Sequence, residues 1–195
     1  MLSNKKPGAW HLADNKDLYE VQRVNNFRIN ITLSDDSEIE NKTNVAEVFS
    51  VALRSFTPPS YSQNSISVSR GNTKIFYAGR MDVAGQMDLT FEDYIGADTY
   101  GQLMALQKEA GNLANEKVFS SKRYKHTVTV EELTPDYSQV VRIYTLSGCW
   151  FTNVKQSELN QEGTDKSSVT ATMYYDWFDV ASGEATINDT ITYKG

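Results

Sequence analysis

The sequence has one cysteine, no long apolar run and no excess of basic side chains. Because Cys149 is alone, an intramolecular disulfide is impossible, which excludes a small secreted scaffold stabilised by cystines. No apolar stretch approaches the roughly 18 residues of a membrane-spanning helix. Residues 1–20 also lack the apolar segment of a signal peptide. These absences favour a protein with no membrane span that folds in a cytoplasm.

Acidic side chains outnumber basic ones, 25 against 19, which leaves a formal net charge of −6. Such a surface does not attract nucleic acid phosphates, so a DNA-binding module is not expected. The same charge is compatible with a protein that DNA passes without binding. At 195 residues the chain fits one domain and is long enough to bury a core.

Motifs for catalysis or metal binding are missing from the sequence. A nucleophilic Cys149 would need a base or a positive environment, and the candidate partners are His11 and His126. Cys149 lies instead in an apolar stretch, YTLSGCWFTNV, so we interpret it as part of a core. The two histidines show no metal-ligand spacing, and SDDSEI at 34–39 lacks the ligand order of a calcium loop. We therefore expect neither an enzyme nor a cofactor.

Apolar and polar residues alternate with a period of two along most of the chain, which predicts seven or eight strands. The Gly71-Asn72 pair between two such stretches predicts a hairpin. Pro58 and Pro59 cannot join a sheet and predict a semi-rigid connection. The predicted strands lie at 26–33, 45–54, 65–70, 73–80, 83–93, 125–133, 140–154 and 167–180.

One principal helix is predicted near 98–111, where Leu103 and Leu106 belong to an apolar stripe and Asp98 can cap the first turn. The strand at 140–154 is expected to be apolar on both faces, with Leu146 and Cys149 on opposite sides. Such a strand needs cover on both faces, from the helix or from another subunit.

The resulting fold class is mainly β, an antiparallel β-sandwich or β-barrel with one principal helix. We predict a single domain over 1–195. It begins with an N-terminal arm or irregular lead-in at 1–24, continues as a β core at 25–180, and ends with an arm or last strand at 181–195.

The segment GCWFTNVKQSELNQEGTDKSSVTATMYYDWFD at 148–179 resembles the closing segment of the tail tube proteins of T4-like contractile-tailed bacteriophages. In that family a strand ends in a Gly-x-Trp-Pro-Thr-Asn-Val-like turn, followed by a polar loop and a strand with an aromatic-Asp or Asp-aromatic pair. Phe151 stands where the family has proline, and Asp176 and Trp177 match the pair. The turn positions are Gly148, Trp150, Thr152, Asn153 and Val154.

Two further segments match the family in the same order, so the resemblance covers roughly 25–180. NNFRINITL at 25–33 is similar to its first strand, and the segment at 69–107 to its hairpin, following strand and helix. Leu106 replaces the tryptophan with which the family's helix usually ends.

The resemblance implies two packed antiparallel sheets and one helix, with six copies forming a ring around a continuous inner β-barrel. Rings would stack into a tube inside a contractile sheath, as in the related type VI secretion ring proteins. A barrel of roughly 24 strands would be ~48 Å across and leave a lumen of about 40 Å, wide enough for duplex DNA.

The partners that the resemblance implies are those of a virion tail assembled in the host cytoplasm. They are other copies of the chain, the tail sheath protein outside, and a baseplate initiator and a tail terminator at the ends. The lumen would hold the tape measure protein and then double-stranded DNA, without specific binding. The candidate inter-subunit contacts are Phe56, Pro58, Pro59, Tyr61, Arg70, Asn72 and Lys74.

Other functions remain open at this point. A baseplate tube initiator, or the tube of a phage-derived contractile injection system, would have the same fold. A carbohydrate-binding or adhesin β-sandwich would stay monomeric and expose aromatic side chains on one sheet face. A hydrolase would depend on His126 or Cys149.

Overall fold

The computed structural model describes residues 22–112, 116–161 and 165–183, and within them it contains three helices and eleven strands. The helices are α1 (Lys42–Ala52), α2 (Thr99–Lys108) and α3 (Ser121–Tyr124). The first strands are β1 (Phe27–Thr32), β2 (Leu53–Phe56), β3 (Tyr61–Arg70), β4 (Thr73–Val83) and β5 (Gln86–Glu92). The later strands are β6 (Gly111–Asn112), β7 (Lys117–Val118), β8 (His126–Leu133), β9 (Val140–Gln156), β10 (Ser168–Tyr174) and β11 (Trp177–Ser182). None of the helices in these ranges is long and apolar enough to cross a membrane.

Seven strands form one sheet in the order β1-β8-β9-β10-β5-β2, with β11 beside β9, while β3–β4 and β6–β7 are separate pairs. β10 lies antiparallel between β9 and β5, so that Met173 is opposite both Phe151 and Met87. All three side chains are buried, which fixes one face of the sheet as the core face. The predicted mainly β, antiparallel fold class is confirmed.

The described chain divides into two compact units, and strands β8 and β9 contribute residues to both. The larger contains 29–129 and 145–179, and it includes α1, α2 and the β3–β4 pair. The smaller contains the described residues 22–28, 130–144 and 180–183. In the smaller unit the Leu133 N–H donates to the Asn26 carbonyl at 2.9 Å. The predicted arms at 1–24 and 181–195 lie mostly outside the described residues.

Helix α1 supplies the aromatic centre of the larger unit's core. The ring of Phe49 lies 5.3 Å from the ring of Phe91 in β5 and 6.1 Å from that of Phe151 in β9. Offset and edge contacts of this kind add to the free energy of burying the rings. The buried positions of α1 are Val45, Val48, Phe49 and Ala52.

The strand predicted at 45–54 is wrong over most of its length, because the chain there forms α1. The buried positions follow steps of three and four, which is the spacing of a helix stripe. The Asn41 side chain also accepts a hydrogen bond from the Asn44 N–H at 3.2 Å and caps the helix. The period-two pattern placed Val51 on the same face as Phe49, but Val51 is 60% exposed.

The helix predicted near 98–111 is confirmed as α2. The Asp98 side chain accepts from the Gly101 N–H at 3.1 Å, as its capping role requires. Leu103 and Leu106 are each 2% exposed. A second long helix, α1, packs against α2, so the described residues contain two principal helices where one was expected.

Strand β9 does not follow the expected alternation. Leu146 and Cys149, expected on opposite faces, are both 0% exposed. Between them Gly148 has φ of 72°, a conformation that glycine adopts without strain, and this irregularity moves Cys149 to the core face. The expected turn at 148–154 is therefore the irregular middle of one continuous strand, which reduces the need for cover on its second face.

A buried polar cluster joins the loop before α1 to the end of α2 and the start of β8. Glu109 is 3% exposed and accepts from the Ser37 hydroxyl at 2.7 Å and the Glu38 N–H at 2.8 Å. His126 is 2% exposed. Its Nδ1 accepts from the Ser34 N–H at 3.3 Å, and its Nε2 faces Glu109 Oε2 at 3.4 Å. A neutral imidazole with its proton on Nε2 would direct that proton towards Glu109 Oε2, although neither of these two buried atoms makes a hydrogen bond within the described residues.

Burial lowers the pKa of His126 from 6.5 to about 4, and the charge of Lys42 acts in the same direction. Protonation would also place a proton on Nδ1, so that two hydrogen-bond donors, Nδ1–H and the Ser34 N–H, would face each other. Between these two pKa values the unfolded chain binds more protons than the folded one. Stability therefore falls as pH is lowered through this window.

We predict that His126 destabilises the fold by up to about 3 kcal/mol as pH falls from 7 to 4, with the Glu109 carboxylate offsetting part of the cost. The His126→Asn variant should lose this component and show a shallower pH dependence. Urea unfolding of both proteins at several pH values measures it. Equal slopes for the two proteins would contradict the assignment of a buried neutral imidazole.

We predict that Phe49→Ala lowers the free energy of unfolding by about 3–5 kcal/mol, because it removes a buried ring from the core. The control is Val51→Ala on the exposed side of the same helix, which should change it by less than about 0.5 kcal/mol. Chemical denaturation measures both variants. Similar losses in the two would favour the strand assignment, in which both side chains share a buried face.

Candidate assembly surface

Strands β3 and β4 form a long hairpin that is separate from the seven-stranded sheet. Nine residue pairs join them, from Tyr61 opposite Val83 to Arg70 opposite Thr73. A two-residue turn closes the hairpin, and Gly71, with φ of 58°, occupies its first position. The hairpin predicted from this glycine is confirmed, and every residue of β3 is exposed.

Both faces of the hairpin carry exposed apolar side chains. On one face the cross-strand pairs Ile66–Tyr77 and Val68–Ile75 lie side by side. Ile66 is 58% exposed and Tyr77 is 50% exposed. The opposite face includes Phe76, which is 64% exposed. An isolated two-stranded hairpin is marginally stable in water, and open edges with apolar faces invite pairing with another chain.

An aromatic contact fixes the base of the hairpin to the beginning of β11. The ring of Tyr61 stacks on that of Phe178 with centroids 4.1 Å apart, and its hydroxyl donates to the Phe178 carbonyl at 2.7 Å. Trp177 lies 6.0 Å from Tyr61 and is 56% exposed. The single strand predicted at 167–180 is instead two strands, because β10 ends at Tyr174 and the chain bends before β11. Trp177 is therefore exposed and Phe178 is buried.

The seven candidate contact residues do not form one patch. Phe56 ends β2 opposite Leu89, and Pro58 and Pro59 lie in the connection to β3, as expected. Tyr61 is at the base of the hairpin, where its ring is used within the chain. The others, Arg70, Asn72 and Lys74, surround the turn at the tip, roughly 30 Å from the base at the usual rise per residue.

Sequence reasoning missed the hairpin side chains that are most exposed and apolar. Ile75, Phe76 and Tyr77 are consecutive, so a strand there is apolar on both faces. This pattern in the sequence could have identified them as candidate contact residues. The large exposed apolar residues of the hairpin are Tyr61, Ile66, Val68, Phe76, Tyr77 and Met81.

The family-motif residues lie away from the hairpin, in β9. The ring of Trp150 packs between Tyr124 and Tyr174, at 5.9 Å and 5.7 Å between centroids. Gly148 lies so close to Asp176 that a β-carbon there would collide with the Asp176 carboxylate. The motif positions, predicted as a turn, lie within strand β9: Gly148, Trp150, Thr152, Asn153 and Val154.

Cys149 is buried, and its thiol donates to the Leu146 carbonyl at 3.4 Å. Burial raises the pKa of Cys149 from 9 to about 12, so the reactive thiolate is disfavoured. Its proposed partner His126 contacts Ser34 and Glu109, and His11 lies outside the described residues. Nowhere in the described ranges do three His, Cys, Asp or Glu side chains come together to hold a metal ion.

No protein-family model matches the chain, and no curated protein matches it significantly. Solved structures do match. A chain of the anti-feeding prophage (AFP) baseplate superposes with a TM-score of 0.59 and 13% identity, covering 84% of this chain and 97% of that chain. A chain of the sheath–tube complex of PVC, an extracellular contractile injection system in its extended state, superposes with a TM-score of 0.58 and 11% identity. The match covers 85% of this chain and 95% of that chain. The AFP tube-terminating cap superposes with a TM-score of 0.58 and 12% identity, covering 84% of this chain and 92% of that chain.

These matches show that the chain shares its fold with components of contractile injection systems. They extend over nearly the whole of each compared chain, so the similarity concerns the complete fold. At such identities the fold alone is established. The hexameric ring, the phage source and the conduction of DNA stay predictions.

We predict that Cys149 in the native protein at pH 8 reacts with a maleimide at least ~100-fold more slowly than in the urea-unfolded chain, because the buried thiol is protonated and inaccessible. Mass spectrometry after timed labelling measures the two rates. Rapid stoichiometric labelling of the native protein would contradict a core role and reopen the catalytic interpretation.

Proposed function

We propose that this chain is a structural subunit that assembles with copies of itself into hollow rings, stacked into the tube of a contractile machine. The hairpin is the observation that carries the proposal. Its two strands extend over nine residue pairs, yet the described part of the chain leaves apolar side chains on both of its faces exposed. A second copy is the partner that covers such a hairpin in a repeating assembly.

Joining the hairpin to neighbouring copies would also cover its exposed strand edges. Exposed strand edges aggregate unless they are paired, covered or closed into a barrel. A ring in which every hairpin pairs with the next copy leaves no free edge, because closure repeats the same contact around an axis. The fold shared with AFP and PVC components supports this arrangement.

The particular machine we propose is the tail of a contractile phage, as the sequence motifs favour. In that role the tube lies inside the sheath protein, with a baseplate initiator at one end and a terminator at the other. The lumen holds the tape measure protein and then conducts double-stranded DNA during genome ejection, and the protein is part of the virion. A net charge of −6 suits a channel that does not retain DNA.

The second candidate is a tube or tube-initiating component of a phage-derived contractile injection system. The observation that favours it is the structural match to AFP and PVC chains. Identifying what the assembled particles contain separates the two, since DNA-filled capsids on the particles indicate a phage and headless particles an injection system.

We predict that the purified protein forms rings or tubes with a lumen near 40 Å, the width that about 24 tilted strands enclose. Negative-stain microscopy and light-scattering mass measure this directly. A protein that stays monomeric when concentrated, and also with baseplate particles present, would contradict the proposal and favour a monomeric binding module.

We predict that the Ile66→Ser/Tyr77→Ser variant folds normally but loses most of its assembly, because both side chains are exposed in the monomer and would be buried between copies. The control is Ile95→Ser, which changes a fully exposed apolar residue outside the hairpin. Light scattering and microscopy compare the three proteins. Rings from the double variant in wild-type yield would exclude this hairpin face from the contact.

A further inference from the structure

The hairpin is positively charged, whereas the rest of the chain is negative. Residues 61–83 contain Arg70, Lys74 and Arg80 against Asp82, a net charge of +2. Since the whole chain carries −6, the remaining residues carry −8. The charge of the hairpin therefore has the opposite sign to that of the body that a neighbouring copy would present.

The cations at the tip of the hairpin have no acidic partner in the described chain. Arg70 and Lys74 are exposed and flank the turn, and neither has a carboxylate within 4.0 Å in the described ranges. Arg80, further from the tip, is paired with Asp82 at 3.1 Å. The unpaired charge is therefore concentrated at the end of the hairpin.

This distribution decides between two ways of joining copies. A symmetric contact between two hairpin tips would bring like charges together, which disfavours association. A head-to-tail contact places the tip of one copy on the negative body of the next, and contacts of this kind generate rings and stacks. The charge pattern favours the head-to-tail arrangement.

The acidic loop, residues 34–41, is the complementary surface on the body. Asp35, Asp36 and Glu40 are exposed, and within the described ranges no basic side chain pairs with their carboxylates. The nearby Lys42 ammonium instead donates to the Ser34 carbonyl at 2.8 Å and the Asp35 carbonyl at 3.0 Å. Within the described ranges Glu38 pairs with Arg123 at 2.8 Å, whereas the other three carboxylates of the loop have no basic partner, and Lys42 binds the loop backbone.

A buried side chain also holds the acidic loop in place. The buried Glu109 carboxylate accepts from the Ser37 hydroxyl and the Glu38 N–H, so the loop is attached to the end of α2. A partner docking on a loop that is already ordered loses less conformational entropy than one docking on a mobile segment.

We propose that the hairpin tip of one copy, with Arg70 and Lys74, docks on the acidic loop of a second copy, with Asp35, Asp36 and Glu40. This inference rests on the proposed function, since it names the electrostatic contact of the same assembly. Nucleic acid is the other polyanion that the tip could meet. The −8 carried by the rest of the chain opposes it, whereas the same charge attracts the tip of another copy.

The test reverses the charge on each side separately and then on both. Arg70→Glu/Lys74→Glu and Asp35→Lys/Asp36→Lys should each weaken self-association at 0.15 M salt by about tenfold or more, because like charges then face each other. Combining all four changes should restore association to within about threefold of wild type. Wild-type association should also weaken as salt is raised, since the charges are exposed. Light scattering over a concentration series measures each constant.

The matched control is Arg80→Gln, which removes a hairpin cation that already has a partner and should leave association nearly unchanged. Circular dichroism and thermal melting confirm that each variant is folded, as expected for exposed positions. If wild type associates and either reversal has no effect, or the combined variant is not restored, the tip-to-loop contact is wrong while the proposed function stands. If wild type does not associate under any condition, the proposed function itself fails. Binding of a DNA duplex that disappears in Arg70→Glu/Lys74→Glu would assign the tip to nucleic acid and overturn the inference.

Discussion

The packing of Phe49 against Phe91 and Phe151 is the contact on which the larger unit depends, because it places α1 on the core face of the sheet. Helix α2 packs beside α1 and completes that layer. The buried apolar side chains of both helices are used there. In the described part of the chain no helix is therefore left to cover β3 and β4, whose exposed apolar faces follow from this division. Within the described residues, the core and the exposed hairpin faces therefore both follow from how α1 and α2 pack on the sheet.

The hairpin is attached firmly at one end and free at the other. At its base, Tyr61 stacks on Phe178 and donates to the Phe178 carbonyl, which sets the direction in which the strands leave the core. At its tip, Arg70 and Lys74 are exposed on either side of the turn. A fixed base with an exposed charged tip suits a contact in which each copy reaches the next in a defined direction. This geometry, more than the fold class, is what makes a repeating assembly the best-supported function.

The sequence was sufficient for the elements in which local pattern and tertiary packing agree. The hairpin at Gly71-Asn72 and helix α2 with its Asp98 cap were predicted correctly for that reason. Helix α1 was missed because Val45, Phe49, Val51 and Leu53 fit a period-two pattern, whereas the helical apolar spacing and the Asn41 cap also fit, and the helix buries Phe49. The positions of Leu146 and Cys149 could not be predicted from alternation, because the irregularity at Gly148 changes which face a residue occupies. The candidate contacts stay predictions, and only the folded hairpin separates those at its base from those at its tip.

The central claim is that a second copy covers the β3–β4 hairpin, and hydrogen–deuterium exchange tests it most directly. The amide hydrogens of β3 and β4 are compared in the dissociated subunit and in purified rings or tubes. We expect exchange in the hairpin to slow at least ~100-fold on assembly, while exchange in β9 and β10, already in the centre of a sheet, changes little. Equal, rapid exchange of the hairpin amides in both states would contradict the account, because the assembly would then be held together by another surface.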